Sequence, residues 1–111
     1  MEPITSLTFR GKNGATYKFD VYPKNTRFNR GLALYSFLSK GTDGKYRVLY
    51  IGKTTDMDER MSDHHKWDEA TRHGFEYIAI CRRVTLLSLD FAEANLIQNY
   101  RPRCNEVVPH L

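Results

Sequence analysis

The sequence predicts a mixed α+β domain, on three observations. Asn13-Gly14 separates two runs that alternate with period two, a hairpin signal. Leu32–Leu38 and Tyr46–Ile51 repeat that pattern across Gly41-Thr42-Asp43-Gly44. Two later stretches, Asp56–Lys66 and Leu86–Tyr100, switch to the apolar spacing of helices. A chain of 111 residues, 41% apolar and 27% charged, suits one domain spanning 1–111 that buries its own core.

The elements follow in order. Leu7–Phe9 and Thr16–Tyr22 form the first hairpin, within 7–22, and Pro23 ends it. Lys24–Gly31 is a basic connector in which Lys24, Arg27 and Arg30 accompany Phe28. Such a segment is either a solvated link or a contact to a nucleic-acid backbone. In the second hairpin, a turn centred on Thr42/Asp43 pairs Tyr35 with Tyr50, and one centred on Asp43/Gly44 shifts the pairing by two. Both registers put Ala33, Tyr35, Phe37, Tyr46, Val48 and Tyr50 on one face, and only a bulge would separate the two tyrosines. Gly52 permits a tight turn. Thr55 is the expected N-cap of a helix from Asp56 to Lys66, with Asp56 and Asp58 at its positive end. Met57 and Met61 suit a core stripe, and Arg60, His64 and Trp67 follow at i, i+4, i+7 on an adjacent one. Asp68–His73 reads as a short helix or turn closed by Gly74. Phe75–Arg82 reads as a central strand, with Phe75, Tyr77, Ala79 and Cys81 on one face and Ile78 and Ile80 on the other. The last helix carries the stripe Leu86, Leu89, Leu96, Ile97 and Tyr100 and stops before Pro102; 101–111 is an irregular tail.

Composition narrows the function classes. Seventeen Lys/Arg against thirteen Asp/Glu give a net charge of +4, which permits a phosphate-bearing partner without requiring one. Cys81 and Cys104 make no disulfide framework, and Met1–Arg10 lacks the apolar core of a signal peptide, so the expected location is the cytoplasm. No apolar run approaches the roughly 18 residues of a membrane span, so no membrane partner is expected.

Glu93 is the sharpest anomaly: it lies four after Leu89 and four before Ile97, a carboxylate inside the inward stripe. That position demands a partner, either an arginine such as Arg60 or Arg82, or a hard divalent cation that prefers oxygen donors. A lone carboxylate leaves the rest of a cation's shell to water and substrate. Lys53 and Arg60 together can hold a phosphate, the lysine as a point charge and the arginine as a fork. His64 shares the Arg60 stripe and is preferred to His65. Tyr35 and Tyr50 are by default sheet aromatics. Trp67 can stack on a base, although as a core aromatic it needs no such role. Lys66 beside it, with Arg27 and Arg30, completes the candidate nucleic-acid contacts. A zinc site from His64, His65, His73, Cys81 and Cys104 matches no zinc spacing.

Together these residues resemble the GIY-YIG nuclease superfamily. Tyr50-Ile51-Gly52-Lys53-Thr54 matches its YIG motif in full. Arg60-Met61-Ser62-Asp63-His64 matches its arginine helix, Glu93-Ala94-Asn95-Leu96-Ile97 its glutamate helix, and Pro102-Arg103-Cys104-Asn105 its end. The match covers a core of about 32–105. Ala33-Leu34-Tyr35 stands where Gly-Ile-Tyr is usual, which keeps the tyrosine and leaves less backbone room. The chain is also similar to small stand-alone bacterial members.

The resemblance implies a three-stranded antiparallel sheet flanked by helices, to which 7–22 adds a hairpin. It implies hydrolysis of a DNA phosphodiester by in-line attack of water, with a tyrosine as general base helped by a lysine or its partner tyrosine; members of the superfamily differ on which tyrosine acts, and Tyr35 is preferred here with Tyr50 in support. Arg60 and Lys53 would steady the phosphate, and His64 would contact the nucleophile network or the phosphate. Glu93 would bind one Mg2+ or Mn2+, Asn105 would hydrogen-bond within the site, and Gly52 would form the turn. A non-enzymatic nucleic-acid-binding module on the same fold is the competing expectation. A protein-interaction domain would leave the Tyr/Arg/Glu set unexplained. Monomer and homodimer both remain open.

Overall fold

The computed structural model describes residues 2–109. Strands β1 (Thr5–Arg10), β2 (Thr16–Pro23), β3 (Ala33–Lys40) and β4 (Tyr46–Thr54) precede helices α1 (Met57–Ser62) and α2 (Trp67–Arg72); β5 (Tyr77–Cys81) and α3 (Leu89–Tyr100) follow. The architecture is α+β. All five strands form one sheet of order β1-β2-β5-β3-β4, antiparallel at every pairing. The three strands β5-β3-β4 are contained in it. The N-terminal hairpin is continuous with them rather than an appendage, because β2 pairs directly with β5.

Each sheet face buries its own cluster. On one, α3 packs Leu89, Ala92, Leu96 and Ile97 against Phe9, Phe19, Val21, Leu34, Leu38, Ile51, Ala79 and Cys81. The other is aromatic: Tyr35, Phe37, Phe75 and Trp67 pack with Met57 and Ile78 beneath α1 and α2. β5, apolar on both faces, is the central strand as its sequence predicts. Phe75 precedes β5 and packs with Ile78 and Ile80, opposite to the expected face.

Three local readings are corrected. Leu38 pairs with Val48 but Phe37 pairs with Tyr50, so Leu49 is the extra residue of a β-bulge. Tyr46 and Val48 therefore join the α3 face, whereas Ala33, Tyr35, Phe37 and Tyr50 stay on the other. Tyr35 pairs with Gly52, as the shifted one of the two expected registers has it. The expected long helix is broken: α1 ends at Ser62, Asp63 is extended at φ −154°, and α2 starts at Trp67. Its N-cap is Asp56, whose carboxylate accepts from the Glu59 amide at 3.3 Å, not Thr55. Finally, α3 starts at Leu89. Leu86 and Leu87 lie in the preceding turn and are exposed, so Leu86 leaves the apolar stripe.

The hairpin turn is locked to α3 by Asn95. Its side chain is fully buried; Oδ1 accepts from the Asn13 amide at 3.0 Å, and Nδ2 donates to Asn13 Oδ1 at 2.8 Å and to the Tyr17 hydroxyl at 3.1 Å. Gly11 is required beside it, since a Cβ there would overlap the Asn95 amide. Among the described residues no helix is long and apolar enough to cross a membrane.

Candidate active site

Tyr35, Tyr50, His64, Glu93 and Asn105 gather around the outer edge of β4. Gly52 lies within β4 rather than in the expected turn, and a Cβ there would overlap the Tyr35 phenol and crowd Tyr50. Tyr35 is wholly buried, and its hydroxyl lies 2.6 Å from His64 Nε2. The Tyr50 ring is 6.1 Å from that of Tyr35 and 5.1 Å from that of His64, centroid to centroid, and it is only half buried. The helix break at Asp63 makes this possible: it turns His64 off the helix and into the aromatic cluster. The expected Arg60–His64–Trp67 helical stripe does not exist.

His64 is committed on both ring nitrogens. Nδ1 accepts from the Lys66 amide at 3.0 Å. Burial, aided by the charges of His65 and Arg60, holds the ring's pKa down to about 4, so it is neutral at physiological pH. The single proton therefore sits on Nε2, which donates to the Tyr35 oxygen. Burial pushes the Tyr35 phenol well above its ordinary range, and the Tyr50 phenol adds to that. Burial raises Tyr50 as well, opposed by hydrogen bonding from Tyr35 and by the Arg60 charge.

Lys53 faces the α3 side of the strand. Its Nζ is 2.6 Å from Asp90 and 3.5 Å from Glu93 Oε1. The partner of Glu93 is thus Lys53, not Arg60 or Arg82. Burial still raises the Glu93 carboxyl, against the lowering effect of Lys53. Glu93, Tyr50, His65 and Asn105 line one cavity of about 260 Å³. Arg60 is exposed and lines a second, about 480 Å³, with Thr54, Asp56 and His65. Asp90 was absent from the sequence reading, although its place three residues before Glu93 is a signal that could have found it.

Asn105 is spent on the backbone. Its Oδ1 accepts from the Ile51 amide and its Nδ2 donates to the Ile51 carbonyl, both at 2.9 Å, and the Cys104 amide donates to Leu49 O at 2.9 Å. The tail thereby closes the sheet edge and fixes the strand between Tyr50 and Gly52. Lys66 is not a free cation: it is buried, and Nζ is held by Glu106 at 2.7 Å and Glu69 at 3.2 Å. This corrects its expected contact with nucleic acid. Trp67 packs edge-on against Phe37 and Phe75. With Lys24, Arg27 and Phe28 it also lines a cavity of about 290 Å³ on the α1/α2 side. Arg27 is exposed there; Arg30 is paired with Asp56 at 2.8 Å.

The donors fit a hard, mostly hydrated cation. Among the described residues no three His, Cys, Asp or Glu side chains converge. Glu93, which lines an open cavity and whose carboxyl burial raises, is the side chain that could hold it. Comparison of the chain with protein-family models, curated proteins and solved structures returns no match.

Proposed function

We propose that this chain is a metal-dependent DNA endonuclease of the GIY-YIG kind. The observation that carries the reading is the shared cavity of Tyr50 and Glu93 at the β4 edge, backed by the buried His64–Tyr35 pair. A phenol and a carboxylate lining one cavity suit a water and a phosphodiester held there.

Tyr50 is the better base, because it faces the cavity while Tyr35 is sealed. This reverses the roles expected from the resemblance. Burial opposes ionisation of Tyr50, and Tyr35 and the Arg60 charge offset that only in part, so the phenolate needs the further help of a bound cation. Water attacks phosphorus while Tyr50, as the phenolate, takes its proton; the bond to the leaving sugar oxygen breaks in line, and that oxygen takes up a proton from solvent. Arg60 and Lys53 meet the phosphate charge. A Mg2+ or Mn2+ ion held by Glu93 would supply stabilisation of the leaving oxygen.

The test is nicking of supercoiled plasmid with Mg2+ or Mn2+. Wild type should nick, Glu93→Ala and Arg60→Ala should lose on the order of 100-fold or more, and Tyr50→Phe should lose more than Tyr35→Phe. Binding without nicking across divalent metals would sink the enzyme reading. One observation favours that second reading, a DNA-binding module: burial drives both phenols away from ionisation.

A further inference from the structure

We infer that His65, not His64, is the imidazole that touches the substrate, donating a hydrogen bond to the DNA phosphate between the Arg60 and Glu93 walls. The inference rests on the nucleic-acid reading above but not on catalysis. Three observations carry it. First, His64 is buried and has neither nitrogen to spare, since one meets Tyr35 and the other the Lys66 amide. It can position Tyr35 but cannot reach a ligand. Second, His65 is exposed, and its ring stacks on that of His64 at 5.0 Å with 12° between planes. It also stands edge-on to Tyr50 at 6.3 Å. The buried ring thus supports the exposed one against the phenol proposed as base. Third, His65 alone lines both cavities, the one holding Arg60 and the one holding Tyr50 and Glu93. A phosphodiester reaching from the arginine to the carboxylate passes its ring. The surrounding charges leave room for such a donor: Lys66 is neutralised by Glu69 and Glu106 and cannot supply it.

The experiment is a titration of the whole protein with a short DNA duplex, without divalent metal, followed by long-range imidazole 1H–15N NMR and by affinity. The His65 nitrogen signals should shift on binding while those of His64 stay in place. His65→Ala should weaken binding about tenfold, the loss of one hydrogen bond to a charged group. His65→Gln, which keeps a side-chain N–H donor, should recover part of it. Unfolding curves of both variants should match wild type, as expected for an exposed side chain. Silent His65 signals on binding, shifts centred on His64, or unchanged affinity in His65→Ala would overturn the inference, as would failure to bind DNA. Binding with these His65 effects but no nicking under any metal would uphold it while removing the nuclease reading.

Discussion

The two faces of the sheet solve the same burial problem in opposite ways. One is covered by a single twelve-residue helix, α3, whose contacts are mostly aliphatic. The other is covered by two six-residue helices and a cluster of rings, with His64 and Lys66 buried among them. Isolated helices that short are not stable in water, so α1 and α2 persist through tertiary contacts. The polar groups on that face are fully paired, since among the described residues no buried side-chain nitrogen or oxygen lacks a partner. The α3 face supplies stability with little chemistry beyond Lys53 and Glu93. The aromatic face carries polar groups in costly positions, which is what a site requires.

The largest expected effect breaks the aromatic face at its tightest point. Gly52→Ala should cost about 3 kcal/mol, because the added Cβ overlaps Tyr35 and either the phenol or the strand must shift. Urea denaturation measures the loss. Loss of the Tyr35–His64 hydrogen bond should accompany it, seen as a changed His64 titration. A substitution that left both stability and that titration unchanged would show the two elements to be less closely fitted than described.

Acid should separate the faces next. His64 is held at about 4 when folded, against an ordinary value of 6.5. The unfolded chain therefore binds this proton first. The stability that depends on a neutral ring is complete above pH 6.5, declines as pH falls towards about 4, and is gone below that. The loss is on the order of 2–3 kcal/mol. Glu93 acts in the opposite sense, because its carboxyl is raised in the fold. The comparison must therefore be wild type against His64→Gln, whose stability curve should be flatter across that window. Parallel curves would refute the buried neutral imidazole.

The α3 face has a polar dependency at Asn95. Asn95→Ala should cost about 2 kcal/mol, leaving the Asn13 amide and side chain and the Tyr17 hydroxyl to find water. Amide exchange should speed up in the Gly11–Ala15 turn. Fluctuations at Tyr50 should be unaffected, since the two regions lie on different strands.

How legible each face was follows from what forms it. The α3 face follows local rules. The Asn-Gly turn, the two-sided apolar β5 and the spacing of Leu89, Leu96 and Ile97 were all readable, as was the misfit of Glu93. The aromatic face was misread wherever tertiary contacts override local pattern. Nothing in Ser62-Asp63-His64 signals a helix break: no glycine or proline stands there, and the break is stabilised by bonds to Tyr35 and Lys66 formed only in the fold. The Leu49 bulge likewise has no glycine to announce it, and it moved Tyr46 and Val48 to the other face. Lys66 looked like a free cation because its two partners are three and forty residues away. Asn95 was visible only as a letter within the glutamate motif, although an asparagine one place before Leu96 in an inward stripe is itself a signal of a buried polar lock.

The smallest effect lies where the two faces meet. Asn105 replaces a missing neighbour strand at Ile51, bonding both its amide and its carbonyl. Water can take over these bonds at an edge, so Asn105→Ala should cost only about 1 kcal/mol, or a few degrees in Tm. The local consequence should exceed the global one. The Ile51 amide has Asn105 Oδ1 as its acceptor, so its hydrogen exchange should accelerate at least about tenfold if the edge opens without unfolding. Tyr50 and Gly52 flank that residue, and β4 carries Tyr50 on one face and Lys53 on the other. A loosened edge should therefore reduce nicking by more than the stability change explains, while Asn105→Asp, which keeps only the acceptor, should fall between alanine and wild type. Equal protection of Ile51 in all three proteins would mean that the edge is held by the Cys104–Leu49 bond alone, and that Asn105 contributes nothing to the alignment of the two walls.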